Sequence, residues 1–432
     1  MSSPANAPTT HIERVWRFRR LHLCLLLVGI SVRLAFSFTV STEDSYAGWD
    51  GHEYHAYASS LRYFRGDDYP RTMNALRSPF YPIFLIPFVA VDDHATRHIQ
   101  VAQCMLGALL AFILAHIAAR WSSNRAGDIA FVGALFYPAL AYYCAFVLTE
   151  ILFSVLLWSG IACLQYGARQ EREVTARWVV WAGVLFGLAC LTRPGLQPFL
   201  LFAACWIAWM IREKFGWKVA LRRTAIFAVV VSSLLLPWLL GNLRAHGEFS
   251  LAPGQAQAVF FYGNSPEYLQ MYRATSKDEY YRVANRLAGL ISVDSNLGPE
   301  SWVYAAREFQ RNHTRDWLQL QWYKSKHFWT PWVNPVIFGR RDVLLSMVCT
   351  TPVFILAALE LWRRKRSGDP FLVLLLGIVG VGYLTGGLIF HVQVRYRIPY
   401  VEVTFLLLAA SWLSYALESA MSRIRSRPTK AA

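Results

Sequence analysis

Four short polar segments stand out in a chain that is otherwise mostly apolar. The first is Trp49-Asp50-Gly51-His52-Glu53-Tyr54, continuing through Tyr57, Ala58 and Leu61. Read as a helix, it puts Asp50, Tyr54 and Leu61 on one face and Glu53 on another. Asp50 then sits at the helix start, near the positive end of the dipole. A carboxylate so placed can orient or deprotonate an incoming hydroxyl, or it can simply cap a solvated helix. The second segment is Leu148-Thr149-Glu150-Ile151, where a carboxylate borders an apolar run. Such a group is costly unless it faces partners or water; the plainer reading is an interfacial residue in a turn. The third is Arg193-Pro194-Gly195, either the holder of an anionic partner or a snorkelling arginine. The fourth is His391-Val392-Gln393-Val394-Arg395-Tyr396-Arg397. Two guanidinium groups and an imidazole in one turn suit a phosphate, because guanidinium pairs with phosphate oxygens in a bidentate manner. They suit equally well a salt bridge to Asp50 or Glu150. The sequence has no P-loop, no GxSxG elbow and no HExxH, and it has no metal-ligand set.

These segments must be positioned by membrane helices. Of the 432 residues, 55% are hydrophobic, 15% aromatic and only 16% charged, with mean hydropathy +0.30. Soluble domains carry nearer a quarter charged residues. The formal net charge is +16, but the basic residues cluster at the ends of apolar runs, so the charge reads as membrane topology and excludes nucleic acid as a partner. The seven cysteines all lie in apolar segments with no CxxC pair and read as small core residues. The first apolar run, from Leu21 to Val40, is long and lacks a small-residue cleavage site, so a cleavable signal peptide is not expected.

Spans are expected at roughly 21–40, 98–119, 128–147, 148–168, 178–192, 195–211, 224–241, 342–361, 370–390 and 398–418. With about ten spans, the basic groups at Arg14 to Arg20, Arg120 and Arg125, Arg169 to Arg177, Arg212 to Arg223, Arg363 to Arg366 and Arg423 to Lys430 all fall on the cytoplasmic side. The four polar segments then share the opposite face. Phe80 to Val91 is too short to span and contains Pro82 and Pro87, which reads as a re-entrant or interfacial element. The expected organisation is a cytoplasmic tail (1–20), an N-terminal membrane module (21–241) that includes an outer loop (41–97), an outer helical loop (242–341), C-terminal membrane helices (342–418) and a second tail (419–432). Helices are expected in the outer loop near Asp278–Leu290 and Pro299–Phe328. No internal repeat is visible, which counts against many transporter folds.

Taken together the motifs resemble the bacterial relatives of dolichyl-phosphate-mannose–protein mannosyltransferases, including the aminoarabinose transferases that modify lipid A. Asp50-Gly51-His52-Glu53-Tyr54 with Ala58, Leu61 and Gly66 resembles the first-loop acidic motif of that family. Arg77-Ser78-Pro79-Phe80-Tyr81-Pro82 resembles its R-P-P-x-Y-P element. Thr149-Glu150 and Leu191-Thr192-Arg193-Pro194 resemble two further signatures. Pro237-Trp238 with Asn242-Leu243-Arg244 resembles P-W-x-x-R-N, Gly263-Asn264 the G-N that follows, and Arg395-Tyr396-Arg397-Ile398-Pro399 the element before the last span. Three motifs depart from the pattern: Ser78 replaces a proline, Gly51 replaces a glutamate, and Asn242 precedes Arg244. The resemblance is expected to end with the tenth span, short of the soluble C-terminal domain some relatives carry.

The resemblance implies an all-α polytopic GT-C-like fold with two large outer loops, in the inner (plasma) membrane. It implies transfer of a sugar from a polyprenyl-phosphate-linked donor to a lipid, glycan or protein acceptor outside the cytoplasm, with inversion and no cofactor. Asp50 would be the general base or would orient the acceptor, with Glu150 as a second carboxylate. Arg193, His391, Arg395 and Arg397 would hold the donor phosphate. Glu53, Tyr54, Arg77, Tyr81, Asn242, Arg244 and Asn264 would complete the substrate contacts. The rival reading is a transporter or flippase for an anionic lipid or glycan. A structural scaffold would leave the clustered charges idle.

Overall fold

The computed structural model describes residues 16–46, 49–63, 77–89, 95–169, 176–291 and 299–425. Gly66 of the first motif, and Arg14, Arg172, Arg427 and Lys430 of the basic groups, lie outside the described residues. The described elements are all helical. Among the described residues seven helices are long and apolar enough to cross a membrane; nine of the ten expected spans fall on helix, and the tenth, 128–147, is helical only as far as Tyr142.

The bundle is built from α1 (Arg20–Thr39), α4 (Ala95–Trp121), α5 (Asn124–Phe136), α7 (Glu150–Arg169), α8 (Ala176–Thr192), α9 (Gln197–His246), α15 (Arg340–Arg364), α16 (Pro370–Tyr383) and α18 (Val403–Arg425). Helix α7 is the central post: 83% of its apolar window is buried in protein, against 22% for α1 and 11% for α15. The lipid-facing helices need only apolar residues, whereas α7 must also interlock. Gly160 admits the Phe186 ring of α8, where a Cβ would collide with it.

One expected span is broken, and two others run into each other. The segment 128–147 breaks at Tyr137, between α5 and the short α6 (Pro138–Tyr142). Pro138 has no N–H, so the Ala134 carbonyl four residues back loses its helical donor. Arg33, in the middle of α1 and fully buried, supplies the replacement. Its Nη2 donates to the Ala134 carbonyl at 2.7 Å and its Nε to the Leu135 carbonyl at 3.1 Å. Gly107 leaves room for the guanidinium. The spans expected at 195–211 and 224–241 are the two limbs of α9. Helix continues through the basic stretch between them, and only Gly216, at φ 79°, breaks it. A positive φ suits glycine, so the turn costs little.

The first outer segment forms α2 (Trp49–Tyr63) and α3 (Phe80–Val89), the latter only 10 residues long. The second forms a helical cap of α10 (Gln255–Gly263), α11 (Pro266–Arg273), α12 (Lys277–Leu290), α13 (Pro299–Asn312) and α14 (Thr314–Trp329). The expected single helix Pro299–Phe328 is therefore two, separated at His313. The cap has its own apolar core around Tyr268, Leu287, Trp302, Phe309 and Leu320. It is fastened to the bundle at the π-helix Leu384–Ile389: buried Lys324 donates to the carbonyls of Gly263 and Leu388, and Asn264 Nδ2 donates to the Ile389 carbonyl at 2.8 Å. A side chain at Gly263 would strike the backbone of Phe390 and His391.

Candidate functional site

Four helix ends bring the polar segments to one end of the bundle. Asp50 lies in the first turn of α2, Glu150 opens α7, Arg193 follows α8, and Arg395 lies in the short α17 (Val394–Arg397) ahead of the π-helix Ile398–Glu402. Asp50, Arg193 and Arg395 line a cavity of about 340 Å³, within the size range of small-molecule sites, while Glu150 is not part of its lining. Asp50, Tyr54, Arg77, Arg193, Arg395 and Tyr396 line its polar side. Leu251, Ala252, Val259, Ile389 and Phe390 line its apolar side.

The charges interlock. Asp50 takes Arg77 Nη2 on Oδ1 at 2.5 Å and Arg395 Nη2 on Oδ2 at 2.6 Å. Burial alone would push the Asp50 carboxyl up, but the two arginine charges and their hydrogen bonds outweigh it and hold the group well below the usual carboxylate range. Glu150 is 1% exposed and lies 3.3 Å from Arg193 Nη2 and 3.9 Å from Arg395 Nε. Neither contact is aligned as a hydrogen bond, so both Glu150 oxygens, Arg193 Nη1 and Arg395 Nε stay buried and unpaired. Arg193 and Arg395 flank the Tyr396 ring, with guanidinium carbons 5.0 and 5.2 Å from its centroid. Both arginines are also residues of the cavity lining.

Other sequence-predicted residues lie behind this wall. Glu53 shares a face with Asp50, contrary to the expectation: residues three apart on a helix are neighbours, and Arg77 bridges both, its Nε reaching Glu53 Oε2 at 2.5 Å. Gly51 is dictated by packing, because a Cβ there would meet the Tyr46 carbonyl at 2.2 Å. Tyr81 is fully buried, stacks edge-on against Tyr54 and donates to Gln103 at 3.0 Å. Asn242 and Asn264 hold backbone: Asn242 Nδ2 donates to the Ser250 carbonyl at 2.7 Å, and Asn264 clamps the cap.

Three further predicted residues also stay off the cavity lining. Arg397 is 2% exposed and consumed by structure: it pairs with Glu402 at 2.7 Å and donates to the carbonyls of Phe328 and Thr330, which leaves no fork for a phosphate. His391 sits behind Tyr396, its Nε2 3.3 Å from the tyrosine hydroxyl. Burial and the Arg395 charge push its pKa down to about 3, so it brings no positive charge. Arg244 is exposed in the last turn of α9, where it complements the helix dipole. Sequence reasoning missed Ser78 and Tyr396 as lining residues, although both lie inside motifs already singled out. It also missed a groove of about 820 Å³ on the cap, between Glu248–Ser250 and α13. Among the described residues no group of three or more histidines, cysteines or carboxylates could hold a metal ion.

No protein family matches the chain by sequence, and no curated protein does. Solved structures match it by fold. The archaeal oligosaccharyltransferase AglB from Archaeoglobus fulgidus, in complex with an inhibitory peptide and a dolichol-phosphate, superposes with a TM-score of 0.54 at 13% identity, over 96% of this chain and 52% of that one. The apo form of the Archaeoglobus fulgidus oligosaccharyltransferase gives 0.54 and 13% over 96% and 53%. The form tethered through a disulfide to an acceptor peptide with an NVT sequon gives 0.54 and 13% over 95% and 51%. The chain spans about half the length of these structures. The likeness establishes the fold, an all-α polytopic membrane architecture of the GT-C kind.

Proposed function

We propose that the chain is a membrane glycosyltransferase that moves a sugar from a polyprenyl-phosphate-linked donor to an acceptor hydroxyl, as a relative of the bacterial mannosyl- and aminoarabinosyltransferases its motifs resemble. One observation carries this reading: a single cavity has arginines and a carboxylate on one wall and apolar residues on the other. A donor with an anionic head on an apolar tail needs both. The solved structures of like fold include one holding a dolichol-phosphate, which supports a lipid-linked donor.

In the reaction, the acceptor oxygen attacks the anomeric carbon as the bond from that carbon to the phosphate oxygen breaks. The electron pair leaves with the polyprenyl phosphate. The hydroxyl proton passes to Asp50 or, through it, to solvent. A single displacement inverts the anomeric centre. Arg193 and Arg395 stabilise the charge that grows on the phosphate. Arg77 orients Asp50, and the Glu150 charge offsets the repulsion between Arg193 and Arg395 and so holds both near the cavity. Arg397, Asn242, Asn264 and Tyr81 position the frame. The site faces the extracytoplasmic side, because Arg363, Arg364, Lys365 and Arg366 lie at the other end of the bundle.

The test is a purified, reconstituted assay with labelled polyprenyl-phosphate sugars. Release of free polyprenyl phosphate coupled to glycosylation of an acceptor is the expected result. Movement of the intact donor across the bilayer, with no sugar–phosphate bond cut, overturns the reading in favour of a flippase.

A further inference from the structure

The cavity and the groove on the cap are neighbours. Ser250 lines both. The segment that separates them is held firmly: Asn242 donates to the Ser250 carbonyl, and Trp238 Nε1 donates to the Leu251 carbonyl at 2.9 Å. The groove itself runs along one face of α13. Glu300, Tyr304, Arg307 and Arg311 recur there at helical spacing, opposite Glu248. Tyr304 is 69% exposed, unusually bare for a tyrosine in the middle of a helix with its own buried core.

We propose that this groove is an acceptor-binding site and that its ligand is a hydroxyl-rich glycan chain. The inference rests on the transferase reading for the word acceptor, and on the groove's own chemistry for the ligand class. Carboxylates only accept hydrogen bonds and guanidinium groups only donate them. A sugar hydroxyl does both, so a wall that alternates the two suits successive hydroxyls. The Tyr304 ring offers a flat apolar face with a polar tip, which suits a pyranose stacked upon it. A polyanionic lipid head is disfavoured: with Glu308 the groove has three carboxylates against two guanidiniums. A peptide would want a sheet edge to pair with or deep side-chain pockets, and the groove is walled by helices and a loop. A glycan lying along α13 would bring its end across Ser250 into the space in front of Asp50.

The test measures binding without donor, on the full-length protein in nanodiscs, by saturation-transfer NMR with a panel of short neutral hexose oligosaccharides. Binding is expected, and Tyr304→Ala should weaken it about tenfold, the scale of one aromatic contact. Arg311→Ala should weaken it too. Trp322→Ala, an equally exposed aromatic outside the groove, should leave it unchanged. The proposal is overturned if no oligosaccharide of the panel binds, if binding ignores Tyr304→Ala, or if an unstructured peptide or anionic-lipid vesicles bind through Tyr304 and Arg311 while the oligosaccharides do not. Because no donor is present, a failed transfer assay beside intact, Tyr304-dependent oligosaccharide binding counts against the transferase reading alone.

Discussion

Arg395→Lys separates charge from geometry at the candidate site. The guanidinium gives Nη2 to Asp50 at 2.6 Å and turns Nε towards Glu150 at 3.9 Å without hydrogen-bonding it. Arg395 also lines the cavity, so a phosphate seated there meets its guanidinium as well. A lysine has one compact ammonium on a flexible stem. It would pair with Asp50 and leave the phosphate without that donor. The charge count is unchanged and the Asp50 pair survives, so folding should be nearly normal. What is lost is a charge-assisted hydrogen bond that strengthens as the phosphate leaves. Removing one such donor from a transition state costs about 2.7–4 kcal/mol, or roughly 10²–10³ in kcat. The assay is the reconstituted transfer reaction, with donor KM and kcat separated. The loss should fall mainly on kcat. Turnover within about threefold of wild type would refute the reasoning, and so would a pure KM effect.

Three further outcomes follow from the same geometry. Asp50→Asn should cut turnover by ~10²–10⁴; Glu53→Gln should cut it less but measurably, because Arg77 loses one of the two carboxylates it bridges. Both are read in the same assay. Arg397→Met should act on stability, since stripping one partner from a buried ion pair costs about 3–5 kcal/mol; thermal unfolding in detergent should shift strongly downward, and a normal melting profile with a raised donor KM would place Arg397 in the phosphate site after all. In a cysteine-free background, a cysteine at position 304 should react with an impermeant reagent from outside and one at 365 only after permeabilisation; the reverse pattern inverts the proposed orientation.

Much of the architecture was legible in the sequence because the membrane makes it so. Apolar runs must be helices, as no other open structure satisfies the backbone in lipid. The polar segments at their ends therefore fall on one face from the sequence alone, and Asp50, Glu150, Arg193 and Arg395 do converge. The misreadings share a cause. Arg397 was grouped with Arg395 by proximity, but its partner Glu402 is five residues on. In an α-helix such residues point roughly 140° apart. The π-helix Ile398–Glu402 brings them together, and nothing in Ile-Pro-Tyr-Val-Glu announces a π turn. The break at Tyr137 did have a signal: a proline inside one apolar run and an arginine inside another. Only the fold shows that the arginine answers the proline. Asn242 and Asn264 were recognisable as special and misjudged in kind, since an asparagine that holds backbone looks the same in sequence as one that holds substrate.

The Asp50 pairings bear on how a base could work here. A carboxylate held far below its usual range by Arg77 and Arg395 is a weak proton acceptor. Under the proposed reaction that weakness belongs to the protein before it binds donor. An arriving phosphate draws on Arg395 and adds a negative charge next to Asp50. Both changes favour the protonated form, so the Asp50 pKa should rise towards its ordinary value once donor is bound. The sign can be read in rates. Activity that needs ionised Asp50 is lost as pH falls through its pKa. The acid limb of kcat/KM for the donor reports the free protein, and that of kcat reports the complex. The kcat limb should therefore lie at higher pH than the kcat/KM limb, and Arg395→Lys should narrow the gap by keeping an ammonium on Asp50 in both states. Coincident limbs in the wild type would mean that the donor leaves the Asp50–Arg395 pair intact. Asp50 would then orient the acceptor while solvent takes the proton.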